Sequence, residues 1–280
     1  MIGVMVNELS GIVDAVSGLL GCEVTLVQPL LGGQHALTFL MTDSKNEYVV
    51  RVFPPLDEAV VHEPHILGRA AALGALAPRF IATGNYQDYP LIITSKVAGS
   101  SPAPELPLRK IASSMAATLA EIHALESDGL RAAVWQVPHD DRPIVERARR
   151  AWQLLEQGGG VFTHYDFWCG NALWDGDALT GVVDWSGARR APRDLDASWC
   201  RLDLVLLGSH EAADQFLEEY QHHSGHTLRD IHTWDLMAAA RSTDVVESWS
   251  ENYIGIGRTD LTKETLRARM DQWISLLCAM

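Results

Sequence analysis

The hydrophobic and polar positions change rhythm along the chain. Between residues 9 and 20, Leu9, Ile12, Val13, Val16, Leu19 and Leu20 recur with a helical period and predict an amphipathic helix. Short runs rich in β-branched and aromatic residues follow at 23–31, 36–42 and 47–53. Gly32-Gly33-Gln34 and Asp43-Ser44-Lys45-Asn46 separate them, so strands joined by turns are expected. A helical stretch from 64 to about 76 leads to two further strands, 79–83 and 91–96. Glu63 precedes Pro64, and the residue before a proline is disfavoured in helical geometry, so Glu63 is placed at the very start of that helix.

Past residue 98 the pattern becomes helical. A Gly, Ser and Pro-rich stretch at 99–107 comes first, then helices predicted over 108–126, 142–156, 194–207, 210–223, 229–250 and 261–278. One β-like segment, 161–185, interrupts them and is itself cut by polar turns. Gly158-Gly159-Gly160 reads as a helix stop. Two domains are therefore expected in an α+β chain: residues 1–97, a small antiparallel sheet with its helix, and residues 98–280, mainly helical.

Charge narrows the choice of partner. Twenty-two Lys+Arg against 36 Asp+Glu give −14, and no basic run is longer than a pair, as at Arg149-Arg150 and Arg189-Arg190. No basic stripe exists to track a phosphate backbone, so nucleic acid is excluded as the main partner. The first hundred residues carry net −4 and the remainder −10, which makes the helical domain the acidic one. Cys22, Cys169, Cys200 and Cys278 show no CxxC or Cys/His spacing, so reduced thiols are expected. The first 21 residues lack a basic start and a continuous apolar stretch, and no run of 18 apolar residues occurs. The expectation is a cytoplasmic protein with no membrane association.

The segment that carries chemistry runs from Val161 to Trp185. Asp166 sits in a short loop after an apolar strand, two residues past His164. Asn171 follows five residues later and opens a second strand, and Asp184 ends a third. A hairpin through Asp175-Gly176-Asp177 brings Asn171 and Asp184 to the same end, beside the Asp166 loop. Two oxygen ligands with a third carboxylate nearby suit Mg²⁺, which completes its octahedron with waters and phosphate oxygens. Phosphoryl transfer requires that arrangement together with a carboxylate near the attacking hydroxyl.

This constellation, HxDxxxxN followed after a hydrophobic strand by Asp-Trp, resembles the aminoglycoside phosphotransferase family, small-molecule kinases that include macrolide phosphotransferases. The resemblance spans about residues 24–205. It implies a protein-kinase-like two-lobed fold with nucleotide between the lobes, Asp166 as catalytic base, Asn171 and Asp184 holding Mg²⁺, and His164 bracing the loop. Asp196 matches the family Asp that hydrogen-bonds the loop's backbone. Gly32, Gly33, Gln34 and His35 fall where the family covers the nucleotide. Arg51 stands where kinases place a phosphate-binding Lys, with Glu63 or else Glu58 as its partner, and Ser95 and Val97 lie in the strand and hinge whose backbone pairs with adenine. Trp168 replaces the catalytic-loop Lys of protein kinases, which argues against a protein substrate.

The expected activity is transfer of the γ-phosphate of ATP or GTP to a hydroxyl of a small molecule, with an aminoglycoside or macrolide antibiotic among the expected acceptors. A kinase of choline, homoserine or a sugar is the alternative, as is a pseudokinase that binds without turnover. The acidic helical domain suits a cationic acceptor. The nine tryptophans, all beyond residue 134, equally suit an apolar ring system. Arg189 and Arg190 are read as a solvated loop or as phosphate contacts, and Cys169 as a thiol close to the nucleotide.

Overall fold

The computed structural model describes residues 9–30, 36–134, 136–138, 140–155 and 159–279. Gly32, Gly33, Gln34 and His35, as well as Trp135 and Gly158, lie outside the described residues. The chain divides into two compact units, Met1–Val97 and Ala98–Met280.

The first unit is a five-stranded antiparallel sheet in the order β1-β2-β3-β5-β4, made of β1 (Thr25–Leu30), β2 (Leu37–Thr42), β3 (Glu47–Val52), β4 (Phe80–Tyr86) and β5 (Tyr89–Ser95). Side chains alternate across a strand. Phe39 and Met41, Tyr48, Val50 and Val52, and Leu91 and Ile93 accordingly share one face, which packs on Ile12 and Val16 of α1 (Leu9–Leu20). The opposite face carries Ile92, with Phe53 just past β3, and meets Ala59 and Val60 of α2 (Ala59–Ala70). That alternation sends Arg51 toward α2.

α2 begins five residues earlier than the sequence suggests, so Pro64 and Glu63 lie inside it rather than at its start. Asp57 accepts a hydrogen bond from the Ala59 backbone N–H at 2.8 Å, and Val61 N–H bonds back to the Glu58 carbonyl at 3.1 Å. The helix thus starts ahead of the proline, which removes the amide donor to the Val60 carbonyl and crowds that carbonyl inside the helix. α2 ends at Ala70 and a 3₁₀ stretch, Ala71–Leu76, continues to β4.

In the second unit α3 (Leu108–His123), α5 (Arg193–Leu207), α6 (His210–Ser224) and α7 (Ile231–Ser242) pack together. α4 (Pro143–Gln153) lies against α7, and α9 (Lys263–Ala279) packs on α5 and α7. α5 is buried on nearly every side, from Leu195 to Leu207, and is the unit's central helix. Its Arg201 is buried and ion-pairs with Asp235 of α7 at 3.1 Å. The helix expected over 229–250 is broken: α7 stops at Ser242, and a 3₁₀ turn, Val246–Trp249, precedes the short α8 (Ser250–Gly255). Neither Gly nor Pro marks that stop. Arg267 of α9 supplies it, bonding the Thr243 carbonyl and hydroxyl and the Glu247 carboxylate, so the open end of α7 is satisfied by a residue far along the chain.

Short strands frame the loop of interest. β6 (Val161–Thr163) pairs with β9 (Arg189–Ala191), and β7 (Ala172–Asp175) pairs with β8 (Ala178–Val182). Arg189 and Arg190 are therefore strand residues, not loop residues, and the Arg189 guanidinium lies 3.9 Å over the Tyr165 ring. At the start of the unit, Ser100 exchanges backbone hydrogen bonds with Trp174 (2.9 and 2.7 Å), and Thr180 Oγ1 donates to the Ala98 carbonyl at 2.7 Å. Gly99 has φ 118°, and a Cβ there would come within 2.4 Å of Thr180 Oγ1, so only glycine fits this stitch. Among the described residues no helix is long and apolar enough to cross a membrane.

Candidate active site

The loop from His164 to Asn171 is set by one stripe of α5. Asp196, Trp199 and Asp203 are three and seven residues apart, the spacing that shares a helix face. Asp196 Oδ2 accepts from the His164 N–H at 2.6 Å and its Oδ1 from the Tyr165 N–H at 2.8 Å. Trp199 Nε1 donates to Asp166 Oδ1 at 2.9 Å, and Asp203 Oδ2 accepts from the Cys169 N–H at 2.9 Å. These contacts fix a backbone that would otherwise resist its geometry: Tyr165 has φ 76°, unfavourable for a bulky side chain.

Each clamp is braced in turn. His123 Nε2 lies 3.2 Å from Asp196 Oδ2 and its Nδ1 lies 2.6 Å from the Tyr220 hydroxyl, all of them buried. Burial holds the His123 pKa below its ordinary value. The neutral imidazole therefore gives its one proton to Asp196 and accepts the Tyr220 hydroxyl's. Tyr253 donates its hydroxyl to Asp203 Oδ1 at 2.8 Å and stands edge-on to Trp168 (5.6 Å, 84°). The Trp168 ring covers Gly170, where an added Cβ would lie 2.1 Å from it, so glycine is required beneath the indole.

Burial pushes the Asp203 carboxyl up to about 6. Between pH 4 and 6 the folded chain then holds the Asp203 proton more tightly than the unfolded chain does. Stability consequently falls as pH rises through that window, by about 3 kcal/mol from this group. Urea titrations at several pH values are expected to show that slope, and Asp203→Asn to flatten it.

Asp166, Asn171 and Asp184 come together as one group. Asn171 Nδ2 donates to the Asp166 main-chain oxygen at 2.9 Å and to Asp166 Oδ2 at 3.2 Å, and Val183 N–H bonds the Asn171 carbonyl at 2.9 Å. Asp184, next in the chain, is exposed and left-handed (φ 62°, ψ 62°), a conformation Asp tolerates better than most residues. Its Oδ1 accepts from Ser186 Oγ at 2.9 Å. His164 Nε2 lies 3.0 Å from the Val183 carbonyl, which can only accept, so His164 carries its proton on Nε2 and ties the loop to the residue before Asp184. Burial raises the Asp166 pKa, while the Trp199 and Asn171 donors oppose that rise.

The donor set fits a hard divalent cation. Only an NH₂ group can face the Asp166 main-chain oxygen, so the Asn171 amide must turn its Oδ1 the other way; that atom and the exposed Asp184 carboxylate are the oxygens that a cation here would take. Among the described residues no group of three or more His, Cys, Asp or Glu gathers that could hold a metal ion.

In the first unit Arg51 Nη1 bonds Glu63 Oε1, with Glu63 buried and the guanidinium 4.9 Å over the Phe53 ring. Glu58 is exposed, and Glu63 is the carboxylate that meets Arg51. Ser95 exchanges hydrogen bonds with Arg79, its N–H to the Arg79 carbonyl and its Oγ accepting from the Arg79 N–H, each at 2.9 Å. Val97 is buried.

One sequence expectation changes here. Cys169 is fully buried, and its thiol pKa is pushed far up by burial, so it is a packing residue rather than a reactive thiol. In the acidic unit Asp214 pairs with Arg201, Glu219 with His223, Asp244 with Arg142 and Glu247 with Arg267. His123, Trp199, Asp203, Tyr220 and Tyr253 were not singled out as parts of the site. The spacing of 199 and 203 from Asp196 on one predicted helix is the signal that points to two of them.

A model of the phosphotransferase enzyme family matches residues 26–240, more than three quarters of the chain. The chain belongs to that family. It is therefore an enzyme, a kinase of small molecules. No curated protein matches the sequence. Solved structures share the fold at low identity. A spectinomycin phosphotransferase in complex with ADP and spectinomycin is 11% identical, with 96% of this chain and 97% of that one covered and a TM-score of 0.64. A macrolide 2′-phosphotransferase from Brachybacterium faecium is 15% identical over 94% and 98%, with a TM-score of 0.65. A thermostable mutant of a hygromycin-binding aminoglycoside phosphotransferase, in a ternary complex with AMP-PNP and hygromycin B, is 15% identical over 95% and 98%, also at 0.65. The fold of this phosphotransferase is thus the protein-kinase-like α+β fold of those enzymes.

Proposed function

We propose that this phosphotransferase moves the γ-phosphate of ATP or GTP to a hydroxyl of a small molecule, with Asp166 as the general base. The observation that carries the reading is the Asp166 carboxylate held from both sides, by Trp199 and Asn171, beside the oxygens of Asn171 and Asp184. The acceptor oxygen attacks the γ-phosphorus, its proton passes to the Asp166 carboxylate, the bond to the β–γ bridging oxygen breaks and the nucleoside diphosphate leaves. Burial raises the basicity of Asp166 and so favours that proton transfer. A Mg²⁺ ion on Asn171 and Asp184 would offset charge on the transferring phosphate.

On the donor side, Arg51, held by Glu63, would contact the phosphates, Gly32, Gly33, Gln34 and His35 would cover them, and the backbone of Ser95 and Val97 would meet the base. The nucleotides bound to the similar solved enzymes, ADP and AMP-PNP, support an adenine nucleotide. Glu63→Gln keeps the shape and removes the charge that orients Arg51. It is expected to raise KM for MgATP about tenfold while kcat changes little. Steady-state kinetics over a range of MgATP concentrations check it.

For the acceptor, an apolar ring system is favoured over a polycation. Trp168, two residues past Asp166, and Trp199, bonded to it, are half-buried, as is Trp249 edge-on to Trp199 (5.5 Å, 68°). Four acids of that unit, Asp214, Glu219, Asp244 and Glu247, are paired with Arg or His side chains. Initial rates of ADP formation with erythromycin, hygromycin B, spectinomycin, choline and glucose test the assignment. Turnover with erythromycin and not with hygromycin B is expected, and the reverse preference would overturn the choice of acceptor.

A further inference from the structure

We infer that Trp199 is the positioning residue of the catalytic carboxylate, its indole N–H fixing the direction in which Asp166 presents its lone pairs to the acceptor hydroxyl. The inference rests on the reading of Asp166 as general base. An aspartate's last torsion is broad, so a carboxylate held at one oxygen still swings. In this loop each oxygen receives its own donor: Trp199 Nε1 on Oδ1 at 2.9 Å and Asn171 Nδ2 on Oδ2 at 3.2 Å. Two donors on two oxygens set the carboxylate plane and leave one lone pair on each oxygen uncommitted.

Trp199 is itself held. It shares the α5 stripe with Asp196 and Asp203, whose bonds fix the loop backbone on either side of Asp166. Its ring stands edge-on to Trp249, which belongs to the 3₁₀ turn after α7. A tryptophan present only for packing has no need to aim its N–H at a half-buried carboxylate. Trp174 and Trp273 illustrate this, for their buried indole nitrogens have no hydrogen-bond partner among the described residues. Trp185 gives its N–H to the Val182 carbonyl, a local backbone bond. Indole is a donor only, so Trp199 cannot take the substrate's proton, and its action on the reaction runs through Asp166.

The test removes the N–H and little else. Trp199→Phe and the isosteric replacement of Trp199 by 3-benzothienylalanine, which keeps the ring's shape without the donor, are compared with the unsubstituted chain. MgATP is the donor, with water and erythromycin as acceptors. Each replacement is expected to lower kcat about tenfold or more with KM for MgATP unchanged. In an Asp166→Ala background the same replacements are expected to cost less than about twofold, because a residue acting through Asp166 has nothing left to act on. Independently of turnover, the Trp199 indole signal in a ¹H–¹⁵N spectrum, identified by its loss in Trp199→Phe, is expected to move upfield in Asp166→Ala.

An unchanged kcat beside an inactive Asp166→Ala overturns the inference and leaves the kinase reading standing. Losses that add fully in the double variant also overturn it, since they assign Trp199 a role apart from Asp166. Undiminished transfer by Asp166→Ala overturns both. Should Trp199→Phe lose the native fold, the isosteric replacement decides. If rates are too low to resolve, an indole signal that stays in place in Asp166→Ala counts against the inference.

Discussion

Asp166→Ala is expected to lower phosphoryl transfer by about 10²- to 10⁴-fold, the range that a positioned general base supplies. The size follows from what the alanine removes: the only carboxylate in the loop that two donors aim outward, with its basicity raised by burial. Nucleotide affinity should change little, because Arg51, Glu63 and Asp184 are untouched. The loss therefore belongs in kcat, and calorimetric titration of the variant with MgATP separates it from a loss of binding. Asp166→Asn is the less clean variant. Its amide would face either the Trp199 N–H or the Asn171 NH₂ with a donor, and a donor–donor contact disturbs the loop for reasons unrelated to catalysis.

Asp196→Ala is expected to produce the largest loss of stability of any single change in the site. The carboxylate is fully buried and receives the His164 and Tyr165 amides and the His123 ring. Alanine leaves three buried donors without an acceptor, at about 1–3 kcal/mol each. A loss of about 3–9 kcal/mol follows, a large part of the roughly 5–15 kcal/mol that holds a folded protein together. Transfer should fall with it, because Tyr165 at φ 76° loses the bond that holds it there and Asp166 is the next residue. Urea unfolding followed by far-UV circular dichroism measures the stability. Asp196→Asn, which keeps one acceptor oxygen, is expected to cost less than half as much.

The grouping of Asp166, Asn171 and Asp184 was legible because it is local. Asp166, Asn171 and Asp184 lie within nineteen residues on a loop and a hairpin, so the pairing of β7 with β8 alone brings two of them to one end. The strands of the first unit were legible for the same reason, through period-two alternation that also puts Arg51 and not Val50 on the α2 face. What the sequence hid is long-range. α2 starts before Pro64 because an aspartate side chain caps it, which a reading that begins helices at prolines misses. At the end of α7 Arg267 comes back to take the Thr243 carbonyl, and no residue near the stop announces that. β9 exists only through its pairing with β6, and three residues of Arg-Arg-Ala carry no alternating pattern to reveal it. The clamp from Trp199 and Asp203 needed α5 to be recognised as buried on all sides, so that polar residues on it must have partners within the fold.

Transfer of the γ-phosphate to a hydroxyl through Asp166 is the proposed reaction. The most direct measurement is ³¹P NMR of MgATP incubated with erythromycin, hygromycin B, spectinomycin, choline and glucose in turn, with the unsubstituted chain and with Asp166→Ala side by side. A phosphate monoester resonance is expected to grow at the expense of the γ-phosphate with at least one acceptor, and none with Asp166→Ala over the same time. The same ester forming at the same rate with Asp166→Ala, or no ester from the unsubstituted chain with any of the five, would contradict it.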